Sequence, residues 1–310
     1  MIRPMRITNS PLQKSLLWLF MLFLLASCGT LNSSTANTSP NLDMSATSSA
    51  APVQAAPLSS DIVATLPKEL QDIHRRGELR IAMYGQDRFP FFYVDDNGEL
   101  TGSDVLLAQD IAYKFGVKAV FLRTATSFDE VANQVATGEA DIALSKLSIT
   151  LKRAQHVLFS EPYLTLHQSL LINRLQLARL GKSTTNAVEQ IQQHGSTIGT
   201  ITGTSYREFA EILFSSSEIS SFATSQNLLD SVSKGEIVAA LYDEFEFAKY
   251  LKQNPGSALT LQYIVLDDYV DPLAIAVSPN HPLLLSWINA YLQLNRPFIN
   301  QLLHKFDIQN

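Results

Sequence analysis

A single cysteine in 310 residues leaves no disulfide framework and excludes a cysteine-ligated zinc site. The six histidines (His74, His156, His167, His194, His281 and His304) lie far apart, and no pair has metal-ligand spacing. No structural or catalytic metal is expected. Runs of Lys and Arg are also missing, and the formal charge is −6, which argues against a nucleic-acid surface. No apolar stretch reaches the roughly 20 residues that span a bilayer. Walker loops, G-x-G-x-x-G turns and G-x-S-x-G elbows are absent, so ordinary nucleotide-binding and hydrolase readings have no support. With 46% apolar and 17% charged residues, the chain is neither a disordered acidic tail nor a polytopic membrane protein. Its length allows about two domains, each with a core of its own.

The N-terminus carries an address. Arg3, Arg6 and Lys14 precede an apolar run from Leu16 to Leu25, followed by Ala26, Ser27 and Cys28, the pattern of a secretory signal. Leu25-Ala26-Ser27-Cys28 also resembles the bacterial lipobox, whose cysteine is diacylated and becomes the new N-terminus. Cys28 is therefore expected to be lipidated, tethering the protein to the outer face of a membrane. Ser, Thr, Ala and Pro fill about two thirds of residues 29–60, and Asp43 is the only charge there. Such a composition cannot offset its own ordering entropy and reads as a flexible leash. Residues 1–27 are thus expected to be leader, and 28–65 the lipidated cysteine and linker.

From Leu66 onward short apolar strands alternate with amphipathic helices. Leu79–Tyr84 reads as a strand and Ser103–Phe115 as a helix with Val105, Ala108, Ile111, Ala112 and Phe115 on one face. Lys118–Arg123 is the next strand. Ser127 caps a helix holding Val131 and Val135, closed by Gly138, and Asp141–Leu144 follows as a strand. The same grammar returns over Thr197–Thr202, Ser205–Phe214, Ser225–Lys234, Ile237–Tyr242 and Glu244–Lys252. Alternation of this kind predicts βαβ units and mostly parallel sheets. The two stretches predict two α/β lobes, joined by the strand-like Leu166–Asn173 and rejoined by Pro272–Val277. A long helical region, Pro282–Phe306, ends the chain with an interruption at Pro297. The expected boundaries are 66–168 plus 273–310 for lobe one and 169–272 for lobe two. Ligands of open α/β sheets bind at the carboxyl ends of strands, so two facing lobes form a cleft that closes by hinge motion.

Several segments occur in the order and spacing of one family. They are Phe89-Pro90-Phe91, Asp95-Asp96-Asn97-Gly98-Glu99-Leu100-Thr101-Gly102, Gly138-Glu139-Ala140-Asp141-Ile142 and Leu147-Ser148-Ile149-Thr150-Leu151-Lys152-Arg153. Phe159-Ser160-Glu161-Pro162-Tyr163, Gly203-Thr204-Ser205 and Ala240-Leu241-Tyr242-Asp243 continue the series. Over about residues 66–310 the chain resembles the family 3 extracellular solute-binding proteins, the polar amino-acid receptors of bacterial ABC importers. The resemblance implies a type II periplasmic-binding-protein-like clamshell, α/β, with two lobes and two hinge crossings. It implies an amino-acid ligand, an ABC permease as partner, no cofactor and a monomer.

It also implies roles for single residues. A free amino acid needs an anion site and a cation site facing each other. Arg153 falls where the family's arginine clamps the ligand carboxylate, a task suited to a two-pronged guanidinium of fixed charge. Ser148 falls beside that carboxylate, and Thr204 and Ser205 stand at a helix start whose amides attract anions. Asp243 matches the ammonium-binding aspartate, although a strand-end Asp is also an ordinary helix cap. Phe91 joins the candidate ligand-binding set. Three positions depart from the family pattern. Arg88 replaces a common aromatic, Lys146 a Gly or Ser, and Ser103 an aromatic. Arg88 and Lys146 can select an acidic side chain such as glutamate, or point to solvent, or Lys146 can pair with Asp243 and remove the amine site. One rival function lies on the same fold. Cyclohexadienyl dehydratase carries a catalytic glutamate three residues after the matched aspartate, here Glu246. A helix-surface Glu in the first turn is the plain reading of that residue. Sensor domains and the first domain of a lytic transglycosylase form a further class, which would need a separate partner. The expectation is an extracytoplasmic, lipid-anchored amino-acid receptor.

Overall fold

The computed structural model describes residues 57–181 and 186–308. The expected leader, Cys28 and most of the linker lie outside the described residues. The tract expected to be flexible through residue 65 is helical over Ser60–Thr65, and a second helix, Lys68–Arg76, follows.

Twelve strands are present: β1 Glu78–Tyr84, β2 Tyr93–Val94, β3 Leu100–Thr101, β4 Lys118–Ala125, β5 Ile142–Ala143, β6 Leu158–Phe159, β7 Leu164–Asn173, β8 Ile198–Ile201, β9 Ile219–Phe222, β10 Ala239–Asp243, β11 Leu261–Leu273 and β12 Ala276–Val277 among the described residues. They build two five-stranded sheets, ordered β4-β1-β5-β12-β6 and β11-β7-β10-β8-β9, and β2 and β3 form a small hairpin. The expectation of mostly parallel sheets needs correction. In the first sheet β4-β1 and β1-β5 are parallel while β12 runs antiparallel to β5 and β6. In the second, β10-β8 and β8-β9 are parallel, and β7 runs antiparallel to both β10 and β11. The antiparallel members are β7 and β11, which cross between the lobes, and β12, which enters the first sheet directly after the second crossing; no βαβ count anticipates them.

Two separate apolar cores follow from this connectivity. One gathers Ile81, Val105, Ile111, Val131, Ile142 and Val157 with the late residues Ile275, Ile288 and Leu302. The other gathers Leu170, Ile172, Ile198, Leu228, Val232, Leu241 and Phe247. Each such side chain contributes about 1.5–3 kcal/mol on burial, so each lobe has its own source of stability. The lobes are joined by β7 and β11, which pair side by side from Leu164↔Leu273 to Asn173↔Leu261. Their register breaks between Leu266, paired with Gln168, and Val270, paired with His167, so residues 267–269 bulge from the ladder.

Local signals fixed several elements closely. Helix Ser103–Phe115 ends at Gly116 and helix Ser225–Lys234 at Gly235, both left-handed caps. Ser127 Oγ accepts from the Glu130 amide at 3.1 Å and starts helix Phe128–Ala136. The terminal helical region breaks at Asn295, not Pro297. Helices Pro282–Leu294 and Arg296–Lys305 flank that residue, and Pro297 sits in the first turn of the second, where its missing N–H costs nothing.

Candidate functional site

The loop after β5 brings the chemistry into place. Lys146 has φ of 49°, a left-handed conformation unusual for a side-chain-bearing residue. Its amide donates to Asp104 Oδ2 at 2.6 Å, and the Tyr163 hydroxyl donates to both oxygens of Asp104 at 3.1 Å. Asp104 is fully buried at the start of helix Ser103–Phe115. Burial raises its pKa to about 7, with the Lys146 amide and the Tyr163 hydroxyl acting the other way.

That turn aims the Lys146 side chain across to the second lobe. Nζ lies 2.8 Å from Asp243 Oδ2, an ion pair outside good hydrogen-bond alignment. The same ammonium sits 4.8 Å from the Phe91 ring centroid and 5.9 Å from that of Phe245. Attraction to the ring faces adds to the ion pair. Asp243 ends β10 and caps the next helix, Glu244–Gln253, with Oδ1 accepting from the Glu246 amide at 3.2 Å. The third alternative for Lys146, pairing with Asp243, is the arrangement found.

Arg153 is 4% exposed. Its Nε donates to Asp129 Oδ1 at 3.0 Å, Nη1 to the Ser148 carbonyl at 3.1 Å and Nη2 to the Gly203 carbonyl in the second lobe at 3.4 Å. These acceptors do not exhaust its five N–H donors. Burial pulls the guanidinium below the usual arginine value, opposed first by Asp129 and also by Asp271. Facing it is the start of helix Tyr206–Leu213. Ser205 makes no side-chain cap there; its hydroxyl reaches the Ser148 hydroxyl at 2.9 Å instead. The Thr204 hydroxyl donates to the Ile201 carbonyl at 2.7 Å, closing the turn that contains Gly203.

These groups enclose a cavity of about 20 Å³ walled by Lys146, Ser148, Arg153, Thr204, Ser205 and Asp243, together with Phe128, Tyr206, Tyr242 and Asp271. It has room for about one water, so the lobes are closed on each other. Six of the eight expected ligand-binding residues meet there. Phe91 does not line it and reaches it only through Lys146. Arg88 lies 4.7 Å over the Tyr84 ring, with its Nη1 on the Asp87 carbonyl, and does not line it either. Glu246 is half-buried in the first helical turn after Asp243 and stands outside that wall.

Two carboxylates central to this geometry escaped the sequence reading. Asp129 was indistinguishable from a first-turn helix acid. Asp271, 1% exposed, lines the cavity from β11 and accepts from the Tyr206 hydroxyl at 3.0 Å through Oδ2. Burial pushes its pKa up, while nearby Ser148, Lys146 and Tyr206 act to lower it. Its adjacency to Pro272 gave no hint that it faces Arg153.

Two sheets with two cores, joined by a paired double crossing and meeting at a buried arginine, define a two-lobe α/β binding protein of the clamshell class. Residues 79–296 match the model of the bacterial extracellular solute-binding proteins, family 3. The chain belongs to that family of amino-acid-binding proteins of ABC importers, which act outside the cytoplasm. It is 27% identical over 205 residues to an arginine-binding periplasmic protein of Mannheimia haemolytica, covering 66% of this chain and 80% of that one. It is 34% identical over 141 residues to the cyclohexadienyl dehydratase of Pseudomonas aeruginosa, covering 46% and 50%. Among solved structures, an ancestral amino-acid-binding protein described as a precursor of cyclohexadienyl dehydratase superposes with TM-score 0.61 at 28% identity, covering 76% of this chain and 98% of that one. An amino-acid ABC transporter substrate-binding protein of Streptococcus pneumoniae bound to L-arginine gives TM-score 0.61 at 25% identity, covering 77% and 100%.

Proposed function

We propose that the protein is a lipid-anchored receptor that captures an amino acid between its lobes and delivers it to an ABC permease. The observation that carries this reading is the buried Arg153, set between Ser148 of one lobe and the start of helix Tyr206–Leu213 of the other. A carboxylate placed there accepts from the guanidinium and from amides reinforced by the helix dipole. Residues 66–168 with 273–310 act as one moving body and 169–272 as the other, bending about β7 and β11. Cys28 carries the acyl anchor, and the monomer is the working unit. The ligand carboxylate closes the clamshell by bridging Arg153 and Ser148 to Thr204 and Ser205.

An acidic side chain on the ligand finds little support, because of the two cations that suggested it one is paired at the cavity wall and the other lies outside it. Lys146 is paired with Asp243 and Arg88 is stacked on Tyr84. The dehydratase reading draws on the 34% identity to that enzyme, and Glu246 is its one candidate acid.

A thermal-shift screen of the purified chain against the 20 amino acids and prephenate tests the proposal. A true ligand at 100 times its Kd adds about 2.7 kcal/mol of stability. One amino acid is expected to raise Tm by several degrees, and Arg153→Met to abolish that rise. A shift with prephenate alone, with turnover lost in Glu246→Gln, would replace this reading with the enzymatic one. In the native host, Cys28→Ser is expected to move the protein from the membrane to the soluble fraction.

A further inference from the structure

We infer that the ammonium of the bound amino acid is received by Asp271 in the second crossing strand, and not by Asp243. This rests on the receptor reading above and identifies the cation half of its site.

The charges around the cavity pair off unequally. Arg153 is matched by Asp129, and Lys146 by Asp243. Asp271 has no ion pair of its own among the described residues: the Tyr206 hydroxyl donates to Oδ2, Ser148 and Lys146 stand near enough to lower its pKa, and Oδ1 is buried without a well-aligned donor. A buried carboxylate oxygen without a donor is costly. Its position on the cavity wall marks where a ligand donor belongs. A carboxylate on Arg153 leaves the ligand's α-ammonium close by, and Asp271 is near enough to raise the Arg153 pKa.

Asp243 is poorly placed for that role. Lys146 already supplies an ammonium there, held by the carboxylate and by the Phe91 and Phe245 rings. A tethered group competes at an effective concentration of roughly millimolar or more, so a free ligand would have to displace it on every binding event. The left-handed turn at Lys146, pinned by Asp104, keeps the lysine aimed at that point. Lys146 and Asp243 are thus positioning residues that close one end of the pocket and leave Asp271 as its acidic end.

The experiment compares L-arginine, L-glutamine and L-glutamate with their deaminated counterparts 5-guanidinopentanoate, glutaramate and glutarate, by calorimetry on the full chain. For whichever amino acid binds, removal of the ammonium is expected to weaken binding roughly 10- to 100-fold. In Asp271→Asn the two members of that pair are expected to bind about equally. Retention of the full preference in Asp271→Asn, with its loss in Asp243→Asn, would overturn the assignment and leave the receptor reading standing. Failure of every amino acid to bind the natural chain would overturn both. A second readout guards against misfolding of the variant. Asp271 is faced by Tyr206, Ser148, Lys146, Asp243 and Arg153, and a cation bound to it favours its ionised form. Calorimetry from pH 4 to pH 7 in buffers of different ionisation enthalpy is expected to show more proton release with the amino acid than with the deaminated analogue. Equal proton release with both would overturn the assignment.

Discussion

Asp243 and Asp271 are buried to the same depth, each 1% exposed, on the same cavity, and yet their surroundings differ in kind. Asp243 ends a central strand, caps a helix and holds a lysine from the opposite lobe. Asp271 lies in a crossing strand, accepts from the Tyr206 hydroxyl with Ser148 close by, and keeps one oxygen without a well-aligned donor. Burial alone therefore does not separate a carboxylate that maintains the structure from one that receives a solute. The separation lies in direct contact with a protein cation: Lys146 Nζ sits 2.8 Å from Asp243, and no ion pair to Asp271 occurs among the described residues.

Breaking the pair should have the largest effect. Asp243→Asn removes the ion-pair partner of the buried Lys146 ammonium while retaining a capable helix cap. It is expected to lower unfolding free energy by about 3–5 kcal/mol, read from denaturant titration. Next comes the support beneath Lys146. Folded Asp104 keeps its proton up to about pH 7, whereas in the unfolded chain it ionises near the usual aspartate value of 3.8. Below that lower value both states are protonated. Between the two values folding takes up a proton, so stability falls as pH rises, and above pH 7 the loss is complete. The span corresponds to a few kcal/mol at about 1.4 kcal/mol per pKa unit. Asp104→Asn is expected to flatten this slope, which unfolding midpoints measured from pH 4 to pH 8 would reveal.

A smaller effect is expected at the contact between lobes. Gly203 has φ of 73°, and a Cβ on it would lie 2.6 Å from the Ser127 Cβ of the other lobe. Gly203→Ala is expected to hold the lobes apart and weaken solute binding about tenfold, with a larger radius of gyration in solution scattering. The smallest change carries the opposite sign. Asp271→Asn removes a buried charge with no ion pair among the described residues and is expected to leave the empty protein unchanged or up to about 1 kcal/mol more stable. Destabilisation as large as that of Asp243→Asn would erase the distinction between the two carboxylates.

Much of the fold was legible because local chemistry and tertiary packing agree. Ser103–Phe115 and Ser225–Lys234 were readable to the residue from apolar spacing and a closing glycine. Strand β11 was largely missed: the strand read at Pro272–Val277 reached only its last two residues, although Leu261–Leu266 is also largely apolar. Asp267, Asp268 and Asp271 interrupt any alternation, and its residues gain meaning only from their pairing with β7. The candidate site divides similarly. Arg153, Ser148, Lys146, Thr204, Ser205 and Asp243 stand in family-like segments and converge as a group. Asp129 and Asp271 depend on which distant residues they face, Arg153 and Tyr206, and sequence spacing does not encode that.

The three bulged residues between Leu266 and Val270 have a mechanical consequence. On either side of them the two crossing strands keep their own register, Leu261–Leu266 toward one lobe and Val270–Leu273 toward the other. Adding or deleting a residue at that point would leave both halves of the ladder, and every cavity-lining side chain, in its place. What would change is the compliance of the strap. The molecule thus separates the chemistry of its pocket from the stiffness of its hinge, so selection can retune how readily the pocket opens without touching what it recognises.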